Sequence, residues 1–220
     1  MKQFLNEKEL NSALHQRYAV KKFEKRNVDT TQLEKTVKEI LQLTPTSFWI
    51  QGYKFIIVKD EKTREALREH SWGQGHVTDS DLFIVFTVPT NFNQSNIEKH
   101  MNNMQKIRNM DEEKKVWVQN FMINKIIETG EELWITNYEE WLAKQAYIWL
   151  WNLMTSLAIL WIDNCPMEWL NPAEYNKILK LDEKNLSAKV AIAIWKRSDD
   201  DKYQFEKKAR FDIDDLFIEM

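Results

Sequence analysis

Cationic side chains near both ends of the chain are among the few residue clusters that could take part in chemistry. Arg17 and Lys21 are four residues apart, and Lys208 and Arg210 are separated by one residue near the other end. Each pair alone is typical of a solvated surface, and only the order of these and other motifs along the chain carries information.

The residue patterns of most catalytic and metal sites are missing from the sequence. His15, His70, His76 and His100 lack paired ligand spacing, and Cys165 is the single cysteine, which argues against a structural zinc site. The sequence also contains no GxGxxG turn, no Walker lysine loop and no nucleophile elbow. We therefore expect no metal and no catalytic acid, base or nucleophile.

Composition favours one folded domain over residues 1–220. Hydrophobic residues make up 43% and charged residues 30% of the 220, which excludes a disordered chain. Lys and Arg number 31 against 34 Asp and Glu, so the surplus of positive charge typical of nucleic-acid binding is missing. The single cysteine, and a first segment without the apolar run of a signal peptide, favour a cytoplasmic protein.

Hydrophobic periodicity predicts a mixed order of elements in which helices predominate. We expect helices over 7–17, 31–42, 61–70, 138–160, from Asn171 onwards, and one or two within 94–132. We expect strands over 53–58, 82–88, around 161–165 and over 186–195, with a loop at Cys165–Trp169 after the third.

The predicted helix 138–160 is apolar on nearly every side from Ala146 onwards. Polar residues such as Asn152 interrupt the run, so burial in a core or a subunit interface is favoured over a membrane span. The tail 203–220 carries several apolar side chains and is predicted to pack on a partner subunit.

Five motifs, taken in their order along the chain, resemble the FMN-dependent nitroreductase family. They are Arg17–Phe23 (RYAVKKF), similar to R-x-[SA]-x-K-x-F; Thr44–Phe55 (TPTSFWIQGYKF), similar to the family's P-[ST]-S…Q-P-[WY]-x-F segment; Trp141–Tyr147 (WLAKQAY), similar to the start of its central helix; Cys165–Trp169 (CPMEW), similar to its P-x-E-G loop; and Lys208–Phe211 (KARF), similar to K-x-R-[FL]. The resemblance covers nearly the whole chain, and five motifs in the right order are far more specific than any one of them.

The resemblance implies an α+β fold, with a central, mostly antiparallel sheet flanked by helices. It also implies an intertwined homodimer with two FMN sites at the subunit interface. Arg17, Lys208 and Arg210 would bind the FMN phosphate, and Lys21 would lie near the pyrimidine end of the flavin. Glu168 would lie beside flavin N5 and contribute mainly its backbone N–H.

The same motifs imply further cofactor-binding residues. These are Tyr18, Ala19, Pro45, Thr46, Ser47, Trp49, Gln145, Pro166, Met167 and Trp169. Thr46 and Ser47 would offer hydroxyl and backbone groups to the cofactor. Phe48 is expected on the substrate side.

The activity implied by the resemblance is hydride transfer from NADH or NADPH, through flavin N5, to a nitroaromatic, quinone or pteridine acceptor. This chemistry needs no side-chain acid or base, which agrees with the missing catalytic patterns. The acceptor classes are not separated by the sequence. A catalytically silent flavin-binding or interaction protein on the same dimeric scaffold is the alternative, and neither nucleic acid nor membrane is expected as a partner.

Tryptophan is unusually frequent and glycine unusually rare, at 10 and 4 of 220 residues, whereas glycine averages about 7% in globular proteins. Trp49, Trp151, Trp161, Trp169 and Trp195 stand where the family it resembles carries glycine, or at position 49 glycine or asparagine. One variant genetic code reads UGA as glycine and another reads it as tryptophan, so translation with the wrong code would produce this pattern. Genuine tryptophans of a divergent lineage or of a designed variant are the other explanation.

Two further expectations concern individual tryptophans. Trp72 and Trp141 stand where an aromatic residue is expected from the resemblance. Trp169 follows the residue expected beside N5, where an indole would crowd the loop and remove the conformational freedom of glycine. Replacing Trp169 by glycine is therefore expected to improve flavin binding or turnover, unless its side chain points to solvent and its φ is negative.

Overall fold

A four-stranded sheet lies at the centre of the computed structural model, which describes residues 5–24, 28–130, 135 and 137–220. Its strands are β1 (Lys54–Ile57), β2 (Leu82–Pro89), β3 (Asp163–Met167) and β4 (Leu186–Trp195). They lie in the order β1-β2-β4-β3, and each neighbouring pair is antiparallel. The predicted antiparallel sheet flanked by helices is therefore confirmed.

The helices of the described residues cover both faces of this sheet. They are α1 (Glu7–Gln16), α2 (Thr31–Leu43), α3 (Glu61–Glu69), α4 (His76–Asp79), α5 (Gln94–Arg108), α6 (Glu112–Met122), α7 (Tyr138–Ile159) and α8 (Pro172–Ile178). A π-helical turn, Ile123–Glu128, continues α6. The region 94–132 thus holds two helices, as predicted, although residues 131 and 132 lie outside the described residues.

Strand β2 explains why the core has two halves. All eight of its residues are buried, as the continuous apolar run predicts for a strand covered on both faces. Because successive side chains of a strand point to opposite faces, Ile84 and Phe86 enter the core formed with α2 and α7. Phe83 and Val85 enter a second core on the other face of the sheet.

Helix α7 is the longest helix described and runs along the first of these cores. Asn137 caps it by accepting a hydrogen bond from the Glu140 backbone N–H. One side of α7 is buried against the sheet, but Ile148 and Trp151 on another side are 46% and 59% exposed. Within the described ranges, no helix combines the length and apolar character needed to cross a membrane.

The loop prediction for Cys165–Trp169 is wrong for its first three residues. Cys165, Pro166 and Met167 form the second half of β3 and pair with β4. The proline is compatible with a strand because β3 lies at the edge of the described sheet, where a missing backbone N–H costs no ladder hydrogen bond. The strand expected near 161–165 accordingly begins two residues later, at Asp163.

Candidate functional site

A pocket of about 440 Å³ brings the two cationic segments of the chain together. It is lined by side chains from both segments, namely His15, Gln16, Arg17, Tyr18, Ala19 and Lys21 on one side and Tyr203, Gln204, Glu206, Lys207, Lys208, Ala209 and Arg210 on the other. Six of the residues that the sequence singles out therefore lie around one cavity, although Arg17 and Lys208 are 191 residues apart in the chain.

The end of helix α1 positions the cations of this pocket. Arg17 is the C-terminal cap of α1. The Lys208 ammonium donates one hydrogen bond to the Leu14 carbonyl oxygen over 2.9 Å and a second, short one to the Arg17 carbonyl oxygen. A cation at this place complements the partial negative charge at a helix C-terminus. Lys208 thus joins the C-terminal segment to α1 and keeps one donor hydrogen for another partner.

The cations of the pocket repel one another. Burial and the nearby Arg210 lower the pKa of Arg17, and burial, Arg17 and Arg210 lower the pKa of Lys208. Within the part of the chain that the structure describes, Arg17, Lys208 and Arg210 form no ion pair with a carboxylate. Glu206 also lines the cavity. An anion bound between the three cations would relieve their repulsion.

Asp201 fixes the segment that carries Tyr18 and Lys21. Its carboxylate is buried and accepts hydrogen bonds from the Tyr18 hydroxyl over 2.9 Å and from the backbone N–H groups of Lys21 and Lys22 over 2.8 and 3.2 Å. The sequence analysis missed this residue. It lies in a run of three aspartates that looks like any solvated loop, and its partners are about 180 residues away in the chain.

The same segment lies beside strand β3. Ala19 forms a parallel bridge with Asn164, and the Val20 N–H donates to the Asn164 carbonyl oxygen over 3.3 Å. The chain continues from Asn164 through the buried Met167 to the exposed Glu168. Met167 itself is 2% exposed and belongs to the second core.

Helix α7 holds the segments that contain Ser47 and Glu168. The Ser47 N–H donates to Gln145 Oε1 over 3.0 Å, and the Tyr147 hydroxyl donates to Glu168 Oε1 over 2.5 Å. Side chains two residues apart on a helix point to nearly opposite sides. Ser47 and Glu168 therefore lie on different sides of α7 within one chain. Tyr147 was missed by the sequence analysis, although it lies two positions after Gln145 in a quoted motif.

The segment around Pro45 is held by short-range hydrogen bonds. The Thr46 hydroxyl contacts the Tyr53 hydroxyl at 2.5 Å and donates to the Ile50 carbonyl oxygen over 3.0 Å. Burial raises the pKa of Tyr53 to about 12, so this phenol stays protonated. Phe48, expected on the substrate side, is partly buried and packs against the main core.

Trp49 lines a second pocket, of about 450 Å³, together with side chains of α5 and α6. Trp117 and Phe121 of this pocket are stacked, with ring centroids 6.0 Å apart and planes at 12°. Trp117 is 68% and Phe121 46% exposed. The cavity therefore offers flat aromatic surface next to the segment that begins at Pro45.

The Trp169 side chain does not crowd the loop that follows β3. Its side chain is 62% exposed and packs on Trp72, with ring centroids 4.8 Å apart. It is not among the described residues with positive φ. Because the side chain is exposed and φ is not positive, Trp169→Gly is expected to change flavin binding and turnover little.

The buried His76 and Cys165 do not form a reactive pair. His76 Nε2 lies 2.6 Å from Gln74 Oε1 and 3.9 Å from Cys165 Sγ. Burial, followed by the nearby Lys21, lowers the pKa of His76 to about 4, and burial raises the pKa of Cys165 to about 11. Both groups are neutral near pH 7. No group of three or more His, Cys, Asp and Glu in the described ranges could hold a metal ion.

The chain is similar in sequence to a known protein family. The model of the nitroreductase family matches residues 14–194. A Staphylococcus aureus (strain N315) protein, provisionally named an NAD(P)H nitroreductase, is 27% identical over 213 residues, covering 91% of this chain and 92% of that protein.

Solved structures share the fold. A provisionally named nitroreductase, YdfN of Bacillus subtilis, superposes with a TM-score of 0.84 at 17% identity, covering 98% of this chain and 100% of the other. A provisionally named nitroreductase of Exiguobacterium sibiricum, solved in complex with FMN, has a TM-score of 0.73 at 12% identity, covering 100% and 99%. With a family model that matches most of its length, the chain belongs to the nitroreductase family.

Proposed function

We propose that this protein is an FMN-dependent NAD(P)H oxidoreductase that reduces a planar small-molecule acceptor. The observation that carries the proposal is the pocket in which Arg17, Lys208 and Arg210 meet without a carboxylate partner among the described residues. The FMN complex of the Exiguobacterium relative and the name of the Staphylococcus relative support the cofactor and the hydride donor.

The residues of the pocket fit a phosphate ester. A phosphate carries up to two negative charges, and guanidinium groups bind it through paired, charge-assisted hydrogen bonds. In this assignment, Arg17 and Arg210 bind the phosphate directly, and Lys208 adds its remaining donor hydrogen. Binding the anion would offset the mutual repulsion that, after burial, lowers the pKa values of Arg17 and Lys208.

The remaining predicted residues would bind and orient the flavin ring. FMN held there would supply the chemistry of hydride transfer between NADH or NADPH and the acceptor. Tyr18, Ala19 and Lys21, held by Asp201, would supply polar groups and a cation near the pyrimidine end. The backbone at Glu168, whose side chain is tied to Tyr147, would offer an N–H to the reacting nitrogen.

A second subunit would complete the site. Within one chain, the segments of Ser47 and Glu168 are bound to different sides of α7. A homodimer in which the face of α7 around Ile148 is shared would bring Ser47 of one protomer to the phosphate and Glu168 segments of the other. The exposed apolar side chains of α7 and of the C-terminal tail support this arrangement, namely Ile148, Trp151, Phe211, Ile213, Leu216, Phe217 and Ile218.

The acceptor would bind beside the stacked Trp117 and Phe121 rings. Aromatic surfaces of this kind favour flat molecules, because offset stacking of rings adds to the burial of apolar area. Nitroaromatics, quinones and pteridines are all planar. Position 49 borders the same cavity and connects it to the segment that holds Thr46 and Ser47.

The proposal is tested by following NADH and NADPH consumption by the FMN-loaded protein. A nitroaromatic, a quinone and a pteridine are each supplied in turn, and the rates are compared with the rate without acceptor. We expect at least one acceptor to accelerate consumption, and Arg17→Ala to slow it at limiting FMN while Lys22→Ala, on an exposed lysine outside the pocket, does not. A protein that binds FMN but oxidises neither nucleotide would instead be a silent flavin-binding scaffold.

A further inference from the structure

Four tryptophans have a backbone conformation that large side chains rarely adopt. All tryptophans except Trp134 lie within the described residues, and four of these nine have φ in the left-handed range: Trp49 (58°), Trp72 (56°), Trp161 (58°) and Trp195 (144°). Among all other non-glycine residues described, only four more have positive φ, two of them asparagines. Asparagine tolerates this region, whereas a bulky residue there is an outlier.

Trp161 occupies a position where helices commonly end with glycine. After α7 ends at Ile159, the Trp161 N–H donates to the Ala158 carbonyl oxygen over 3.0 Å, and the Ile162 N–H donates to the Leu157 carbonyl oxygen over 2.9 Å. This pair of hydrogen bonds is the Schellman motif, whose left-handed residue is most often glycine because a Cβ is unfavourable there. Its indole is 62% exposed, so no packing compensates for the strain.

Trp195 is the last residue of β4, where the chain turns back toward β3. It stands opposite Asp163, and the Arg197 N–H then donates to Asp163 Oδ2 over 2.9 Å. A φ of 144° at Trp195 lets the chain leave the strand and return to the same aspartate within two residues. This φ is outside the regions that residues with a Cβ occupy without strain.

Trp49 ends the short helical turn Ser47–Trp49. Its N–H donates to the Thr46 carbonyl oxygen over 3.1 Å, and Phe48 before it also has a positive φ, of 54°. Two consecutive left-handed residues are costly for side chains with a Cβ. The Trp49 indole is 57% exposed.

We propose that positions 49, 161 and 195 are glycines in the functional protein, specified by UGA codons that its cells decode as glycine. Three observations combine in this proposal: left-handed backbone, no contact with another aromatic ring among the described residues, and a chain with 4 glycines and 10 tryptophans. The argument concerns the backbone and does not depend on the proposed function.

Four other tryptophans are not part of the proposal, each for a structural reason. Trp72 shares the left-handed backbone, but its ring packs on Trp169. Trp151 and Trp169 are not among the described residues with positive φ, so their backbone does not require glycine. Trp149 is buried and packs against Phe55, with ring centroids 5.0 Å apart, as an authentic core residue does.

The proposal is tested first on the gene and on the native protein. We expect UGA at codons 49, 161 and 195, and peptides with glycine at these positions when the protein isolated from its own cells is sequenced by mass spectrometry. UGG at these codons, or tryptophan in the native peptides, would overturn the proposal.

A second test compares recombinant chains by thermal unfolding. The variant Trp49→Gly/Trp161→Gly/Trp195→Gly is compared with the chain that carries all ten tryptophans. The matched control is Trp141→Gly/Trp149→Gly, in which two helical tryptophans of α7 are replaced. We expect the melting temperature to rise by several degrees in the triple variant and to fall in the control. An unchanged or lower melting temperature in the triple variant would show that these positions do not favour glycine and would contradict the proposal.

Discussion

The Tyr147 hydroxyl donates a hydrogen bond to Oε1 of Glu168 over 2.5 Å and so ties the end of strand β3 to helix α7. Partial burial, together with this carboxylate, raises the pKa of Tyr147 to about 12, so the phenol remains a donor throughout the neutral range. Asp201 plays the corresponding part for the segment of Tyr18 and Lys21. In both cases a side chain outside the pocket fixes a segment that is proposed to bind the flavin.

Tyr147→Phe is expected to slow reduction of the bound flavin while leaving the fold intact. The variant keeps the ring and removes the donor that holds the Glu168 side chain. A net contribution of about 0.5–1.5 kcal/mol for this hydrogen bond corresponds to a roughly 2- to 10-fold slower hydride transfer. Stopped-flow reduction by NADH measures the rate, and Tyr138→Phe is the control, because the Tyr138 hydroxyl donates to the Ile126 carbonyl oxygen outside the proposed flavin site. Equal rates in Tyr147→Phe and the parent protein would remove Tyr147 from any positioning role.

Arg17→Ala is expected to weaken FMN binding by roughly 1.5–3 kcal/mol, the range for a hydrogen bond to a charged group. The dissociation constant then rises about 10- to 150-fold. Fluorescence titration at low salt measures it, with Lys22→Ala as the control, because Lys22 pairs with Asp200 at the surface. An unchanged FMN affinity of Arg17→Ala would show that the phosphate lies elsewhere.

Asp201→Asn is expected to reduce stability at neutral pH. Burial alone raises the pKa of Asp201, but hydrogen bonds from Lys21, Tyr18, Lys22 and Tyr203 outweigh it and hold the pKa below its usual value. A carboxylate with a lowered pKa in the folded state stabilises the protein above its unfolded pKa of about 3.9. This contribution is lost as the pH falls through the lowered pKa.

Melting temperatures measured between pH 3 and pH 7 test this assignment. The difference between the parent protein and Asp201→Asn should be largest at neutral pH and shrink below about pH 4. Asp199→Asn, at an exposed aspartate, serves as the control and should track the parent. A pH-independent difference would mean that the charge of Asp201 does not contribute.

Ile148→Glu is expected to disrupt a homodimer. The Ile148 side chain is 46% exposed on α7 in the single chain, and a carboxylate buried there without a partner is costly. Sedimentation velocity at micromolar concentration should give a dimer for the parent and a monomer or a mixture for Ile148→Glu. Lys62→Glu, an exposed position of α3, should remain dimeric. A parent protein that sediments as a folded monomer would refute the shared site.

Local sequence patterns predicted the elements but not the contacts between them. The apolar run of β2 and the Asn137 cap of α7 act within a few residues, so helix and strand positions followed from the sequence. The strand at Cys165–Met167 was missed because a proline is compatible with an edge strand only when the sheet order is known.

The residues of the candidate site were also predicted only in part, because their motifs could be found in the sequence but their contacts could not. The motifs of Arg17 and Lys208 were recognised, yet nothing in the residue pattern indicates that Lys208 caps α1 through the Leu14 carbonyl. Asp201 and Tyr147 were missed because their partners are distant in sequence and ordinary in type. Positive φ at Trp161 and Trp195 likewise becomes visible only with the backbone.

Anaerobic reduction of the flavin-loaded protein tests the central claim most directly. The chain with all ten tryptophans and its Trp49→Gly/Trp161→Gly/Trp195→Gly variant are each incubated with FMN, freed of unbound cofactor and mixed with NADH or NADPH in the absence of oxygen. We expect a yellow protein that is bleached by a reduced nucleotide and recovers its absorbance when a quinone or nitroaromatic is added. Two chains that fold but both stay colourless, or that bind FMN and are not bleached by either nucleotide, would contradict it.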